Sequence, residues 1–144
     1  MKKLLTITNL ILLLIITNTI CFAQVSNDQS RQKNIDADNI LLSVFETGDV
    51  SKLDAIIARD FINHAGADKI GLDSLKTMVK GFHARMKNVK VEVVRQLADD
   101  EYVADWVRFI GENNMVIEGI EMTRYSNGKA KEHWFFPGGQ PRRK

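Results

Sequence analysis

Between Met115 and Trp134 the chain reads MVIEGIEMTRYSNGKAKEHW, and the way this stretch folds back on itself decides the architecture around it. Residues 115–125 and 129–136 are rich in β-branched, aromatic and other strand-tolerant side chains. Ser126-Asn127-Gly128 between them is turn chemistry, so the stretch predicts a β-hairpin. Glu118, Glu121, Glu132 and His133 sit inside those strands, where a pure core carries no polar group. Two turns are compatible with the residues. A three-residue loop, a type I turn followed by Gly128 in the left-handed region, sets Tyr125 opposite Lys129 and Glu121 directly opposite His133. A two-residue Asn127-Gly128 loop of type I′ sets Glu121 opposite Trp134 and turns His133 to the other face. The three-residue loop is the one expected.

Upstream of the hairpin, Val89–Leu97 alternates with Val91 and Val93 on one face, Ala98-Asp99-Asp100 turns, Tyr102–Ile110 alternates again and Gly111–Asn114 turns. Earlier still the periodicity is helical. A first helix fits Ile35–Glu46, with Ile40, Leu41, Val44 and Phe45 apolar and Gly48 closing it. A second follows from Ser51, where Ser51 and Asp54 have capping-box spacing and Leu53, Ile56 and Ile57 are buried; Asp60–His64 leaves it in extended form. A third runs from Leu72 to Met86 on an apolar stripe of Leu72, Leu75, Val79, Phe82 and Met86. Three helices followed by four strands on short turns imply an antiparallel sheet with helices on one side, an α+β domain. Residues 24–33 and the tail 138–144, with Pro141 and a basic end, are expected to be loose.

The chain opens with Met1-Lys2-Lys3, runs through the apolar Leu10–Ile16 and reaches Cys21-Phe22-Ala23 before polarity rises at Gln24. Residues 1–23 therefore read as a secretory signal peptide cleaved after Ala23, with the protein secreted or periplasmic. Thr6, Thr8, Asn9, Thr17, Asn18 and Thr19 break the apolar run short of the roughly 20 residues that span a bilayer. Lipidation at Cys21 is disfavoured by the bulky Ile20 before it. Cleavage leaves 121 of the 144 residues, a single domain over 24–144. It takes the 20 basic residues to 18 by removing Lys2 and Lys3, matching the 18 acidic ones, so neither nucleic acid nor a membrane is an implied partner. Cys21 is the single cysteine, so a thiol nucleophile, thiolate metal site or disulfide in the exported domain is excluded.

Several pieces in order carry a resemblance. The helical stretch from Leu41 ending in Asp60-Phe61-Ile62-Asn63-His64, the Gly71-Leu72 helix start, Gly119-Ile120-Glu121, Tyr125-Ser126-Asn127-Gly128-Lys129 and Glu132-His133-Trp134 resemble the SnoaL-like polyketide cyclases over nearly all of the chain after the leader. The resemblance implies the cone-shaped nuclear transport factor 2-like fold, shared with ketosteroid isomerase and scytalone dehydratase. In it, N-terminal helices pack on a curved antiparallel sheet and enclose an apolar pocket; many members dimerise through the outer sheet face. Where these cyclases commonly place an acid after the His-Trp pair, this chain has Phe135 and Phe136. Its Gly111–Asn114 loop is also shorter than theirs.

Ile120–Tyr125 is also similar to the ketosteroid isomerase hairpin, in which a carboxylic acid at the position of Glu121 faces the substrate. An apolar pocket favours a protonated carboxyl, and in that form Glu121 would donate a hydrogen bond to a developing enolate oxygen, with His133 beside it. His64, at the hand-over from the second helix to the sheet, would abstract the proton next to a carbonyl, because imidazole titrates near neutrality. These three are the catalytic candidates; Trp106, Tyr125, Trp134, Phe135 and Asp105 are the substrate-binding ones. Each has a plainer alternative: a hydrogen-bonding strand-end histidine for His64, a cross-strand pair for Glu121 and His133, core packing for the aromatics, and a dimer-face position for Asp105. No HxH or HxxxH spacing marks a metal site, and the chemistry calls for no cofactor. The reading is an exported domain that binds a small apolar carbonyl compound and performs cyclisation, isomerisation or dehydration. The alternative is a non-catalytic small-molecule-binding or dimeric interaction module of the same fold, and a homodimer is expected.

Overall fold

The computed structural model describes residues 28–65, 69–112 and 115–138. The leader with Cys21 and most of the C-terminal tail lie outside these residues.

Helix α1 covers residues 28–47. It starts well before Ile35, across a segment expected to be loose. Its added turns carry an Arg31–Asp28 pair (2.6 Å) and a Gln32–Asp36 hydrogen bond (2.9 Å), side-chain contacts of the three- and four-residue spacing that support a helix. Its buried face is Asn34, Ala37, Asp38, Leu41, Leu42, Val44 and Phe45. Ile40, expected inside, falls off that face and is 37% exposed. Gly48 ends the helix at φ 74°, its N–H donating to Val44 O at 2.8 Å.

The expected Ser51–Asp54 capping box does not form. Instead Asp49 caps a 3₁₀ turn, Val50–Lys52, by accepting from Ser51 N (3.2 Å) and Ser51 Oγ (2.6 Å). A single turn of α2, Leu53–Ile56, follows without a side-chain cap. The chain then becomes strand β1, Ile57–Asn63, longer than the extended Asp60–His64 piece expected. After β2 (Lys69–Ile70) come α3 (Leu72–Arg85), β3 (Lys90–Ala98), β4 (Tyr102–Ile110), β5 (Val116–Ser126) and β6 (Lys129–Pro137). The sheet has six strands in the order β2-β1-β6-β5-β4-β3. Neighbours run antiparallel except β1 and β6, which are parallel. The α+β arrangement stands, with two strands added ahead of α3. Leu41, Val44 and Phe45 of α1 and Leu75 and Val79 of α3 pack against Phe61, Val103, Val107, Phe109 and Tyr125 of the inner sheet face.

In the hairpin, Ser126 pairs with Lys129, leaving Asn127 (φ 52°) and Gly128 (φ 71°) as a two-residue turn. Positive φ at both positions is the type I′ geometry, so the expected three-residue loop does not form. Asn34 secures this turn to α1: its Oδ1 accepts from Gly128 N (3.1 Å) while its Nδ2 donates to Asp100 O (3.0 Å) in the β3–β4 turn. A two-residue turn alone would send His133 outward. It does not, because the ladder steps from Tyr125↔Ala130 to Arg124↔Glu132, leaving Lys131 as an extra residue in a β-bulge. Ala130 and His133 are both buried, with Lys131 and Glu132 half-buried between them. Beyond the bulge Thr123 lies opposite His133 and Glu121 opposite Phe135. Glu121 and His133 thus share the inner face as diagonal neighbours.

Candidate active site

A cavity of about 470 Å³ opens between α3 and the inner sheet face. Its wall is mostly apolar: Phe45, Phe82, Phe109 and Phe135, with Met78, Ile117, Ala65 and Pro137. The rings pack edge to face or tilted, with centroids 5.7 Å apart for Phe45–Phe82, 5.4 Å for Phe82–Phe109 and 6.3 Å for Phe109–Phe135. Gly119 makes room for this wall, since a Cβ there would stand 2.6 Å from the Phe135 ring. Three polar groups line it: Glu121 and His133, both buried, and Arg85, which is exposed and so marks the open end.

The two buried groups meet. His133 Nε2 lies 3.1 Å from Glu121 Oε2, and His133 Nδ1 lies 3.1 Å from Asn63 Oδ1. Asn63 stands beside His133 because β1 and β6 pair in parallel with these two residues in register. Its amide orientation follows from its other partners, for Oδ1 also accepts from the backbone N–H of Ala65 (2.9 Å) while Nδ2 points at Met78 Sδ (3.1 Å). An oxygen that faces His133 obliges Nδ1 to carry a proton and donate it. Between Nε2 and Glu121 there is then one proton, held either as imidazolium with carboxylate or as imidazole with carboxylic acid. The pair is neutral as a unit. Among the described residues nothing hydrogen-bonds the second carboxyl oxygen, Glu121 Oε1.

Behind the cavity wall lies a second polar layer. Asp105 is directly opposite Glu121 on β4 and is 1% exposed. Asp38 of α1 accepts from the Tyr125 hydroxyl at 2.9 Å, and its carboxyl stands close enough to that of Asp105 for each to shift the other's titration. Asp38 Oδ2 and Asp105 Oδ1 are buried oxygens that no N–H or O–H of another residue reaches. A single proton held between the two carboxyls would satisfy both. Burial first, and then the Asp105 carboxyl, raises the Asp38 pKa well above its usual value. Burial also raises Asp105, while the hydrogen bond from Asp38 opposes that rise. The Tyr125 hydroxyl is raised as well, by burial and then by Asp38.

The residues singled out in the sequence therefore divide three ways. Glu121, His133 and Phe135 line the cavity. Asp105 and Tyr125 are buried in the layer behind it. His64, Trp106 and Trp134 lie on the outer face, which corrects their expected placement. Asn63 takes the inward position beside His133, so the next residue, His64, turns outward. There its ring stacks on Trp134 (centroids 4.8 Å, 12° between planes), and its Nε2 sits 3.1 Å from Glu132 Oε2. Glu132 also pairs with Arg124, which together with His64 keeps its carboxyl below the usual range. Trp106 alternates out of the sheet between Asp105 and Val107, and its indole N–H donates to Glu118 Oε1 at 2.7 Å. Asn63, Asp38 and Arg85 were missed. Asp38 left a trace in the sequence, a polar residue at helical spacing on the apolar face that Leu41 and Phe45 define.

The family model for the SnoaL-like domain matches residues 41–133. No curated protein matches the chain. Among solved structures, a candidate polyketide cyclase from Bacillus cereus ATCC 10987 superposes with a TM-score of 0.67 at 18% identity, covering 73% of this chain and 74% of the other. A protein of unknown function with the nuclear transport factor 2-like fold, from Mesorhizobium loti, gives 0.66 at 14% identity over 76% and 93%. An LEH-like epoxide hydrolase from M. tuberculosis gives 0.62 at 15% identity over 75% and 84%. These likenesses show the fold, the α+β cone expected from the sequence.

Replacing Asp38 with Asn puts a permanent N–H donor where the shared proton sits and keeps an oxygen for Tyr125. A carboxyl whose folded pKa is raised contributes stability that is complete below its unfolded value, near 3.8, and fades as pH rises through the folded value. The stability of Asp38→Asn relative to wild type should therefore improve by about 1 kcal/mol between pH 4 and pH 8. Urea unfolding of both proteins across that range measures it, and a difference that stays flat with pH contradicts the shared proton.

Proposed function

The chain belongs to the SnoaL-like domain family, and from that premise we propose that its cavity binds a small apolar carbonyl compound on which Glu121 and His133 perform acid–base chemistry. The observation that carries this is the burial of a carboxyl and an imidazole in hydrogen-bond contact within an apolar cavity, with the imidazole held in one orientation by Asn63. In the ionised form of the pair, Glu121 Oε1 is the base. It takes the proton from the carbon next to the carbonyl, and the imidazolium on Oε2 keeps the carboxylate charged in apolar surroundings. The proton then sits on Glu121 and returns to carbon or oxygen. Return to a different carbon is an isomerisation; attack of the enolate on a second carbonyl closes a ring; loss of a β-hydroxyl is a dehydration. None of these steps draws on a cofactor. His64, on the outer face, has no part in them. The leader-like residues 1–23 support export as the setting.

The second reading concerns the outer sheet face. Trp106, Ile120 and Phe136 lie in one row across β4, β5 and β6, in register and 41%, 40% and 50% exposed. We propose this row as the centre of a homodimer contact, since an exposed apolar strip of this kind marks an interaction surface. Sedimentation of the purified protein should give a dimer, and Ile120→Asp a monomer. A monomeric wild type contradicts this second reading.

For the chemistry, 4-phenyl-2-butanone serves as a probe ketone. In D₂O the protein should speed deuterium exchange at its α-carbons, and Glu121→Gln should slow that exchange by about a hundredfold, the scale of a positioned general base. NMR integration of the α-proton signals reads the rate. If the ketone binds but exchanges no faster than in buffer, the domain is a binding module.

A further inference from the structure

The cavity wall carries one unbalanced charge, and we propose from it that the ligand is an amphipathic carboxylate, an oxo acid bound with its anionic head at Arg85 and its apolar body among the phenylalanines. This deepens the reading above and rests on it. Glu121 and His133 are neutral as a pair, and apart from Arg85 the other lining side chains are uncharged, so the wall has a net charge of +1. Elsewhere Arg31, Arg108 and Arg124 are matched by Asp28, Glu118 and Glu132, while Arg59 and Arg95, which like Arg85 make no ion pair among the described residues, do not line the cavity. Among the described residues Arg85 makes no ion pair, and its guanidinium is available at the open end of the cavity. The planar fork of a guanidinium fits a carboxylate with two parallel N–H···O bonds.

The two ends of the cavity also fix which way round the ligand lies. A carboxylate pushed to the deep end would lose its water beside Glu121, at a heavy desolvation cost. At Arg85 it keeps contact with water and faces a positive charge. The apolar body then runs along Phe82, Phe109 and Phe135, in a cavity within the range that takes a drug-sized molecule. The carbonyl that meets Glu121 must therefore lie well away from the carboxylate, separated from it by an apolar spacer. Simple neutral ketones would fit the chemistry but leave Arg85 unused.

Calorimetry at pH 8 with 5-phenylpentanoate and its isosteric amide, 5-phenylpentanamide, tests the head group. Wild type should bind the acid more tightly than the amide, and the acid-to-amide affinity ratio should fall about fivefold in Arg85→Gln, the scale of a partly solvated charge pair. Equal affinities in wild type, or a ratio unchanged by Arg85→Gln, would overturn the assignment of the head group while leaving the cavity reading in place. If neither compound binds at millimolar concentration, both fall.

Discussion

A single extra residue in β6 determines which side chains of the central hairpin meet. The Asn127-Gly128 turn has type I′ geometry, whose twist matches that of the strands, and by itself it would put His133 on the outer face. Lys131 enters the strand unpaired and resets the alternation, so that Ala130 and His133, three residues apart, both point inward. The parallel partner strand then brings Asn63 alongside His133, and the same parity turns His64 and Trp134 outward together. A bulge shifts the alternation of every residue beyond it, so His133 and Phe135 turn inward and Trp134 outward.

The polar groups gathered by this register are expensive to bury, and the structure meets the cost with shared protons. Asn63, His133 and Glu121 form one hydrogen-bonded chain at the cavity wall. Tyr125 and Asp38 form a second behind it, beside the Asp105 carboxyl. Coulombic repulsion links them, since Glu121 raises Asp105 and Asp38 alike. A buried polar network is tolerable only when its members are satisfied. Here that condition requires protons on particular atoms. Helix α1 is part of the arrangement as well as its cover: it supplies Asp38 to the second chain, and through Asn34 it fastens the turn that sets the register.

Much of the fold was legible in the sequence. Apolar stripes located α1 and α3, alternation located β3 and β4, and Ser126-Asn127-Gly128 located the hairpin. Other features depended on partners distant in the chain. Nothing local in Ile57–Asn63 announces a parallel pairing with β6, and without that pairing neither the outward turn of His64 nor the role of Asn63 can be found. The bulge did leave a mark, two successive charged residues at Lys131-Glu132 where alternation would allow one. Glu121 and His133 were joined through the wrong loop, and the diagonal contact holds because a three-residue turn and a two-residue turn with a bulge place both on the same face. Arg85 drew no notice in the sequence, because its place at the cavity comes from tertiary packing.

The central claim is that Asn63 holds His133 with a proton on Nδ1 and leaves Nε2 to share one with Glu121. Long-range ¹H–¹⁵N NMR of the His133 ring tests this most directly. Across the pH range in which the protein stays folded, Nδ1 should be protonated, with its proton bonded to Asn63 and slow to exchange. A neutral ring protonated on Nε2, with a bare Nδ1, would contradict the account.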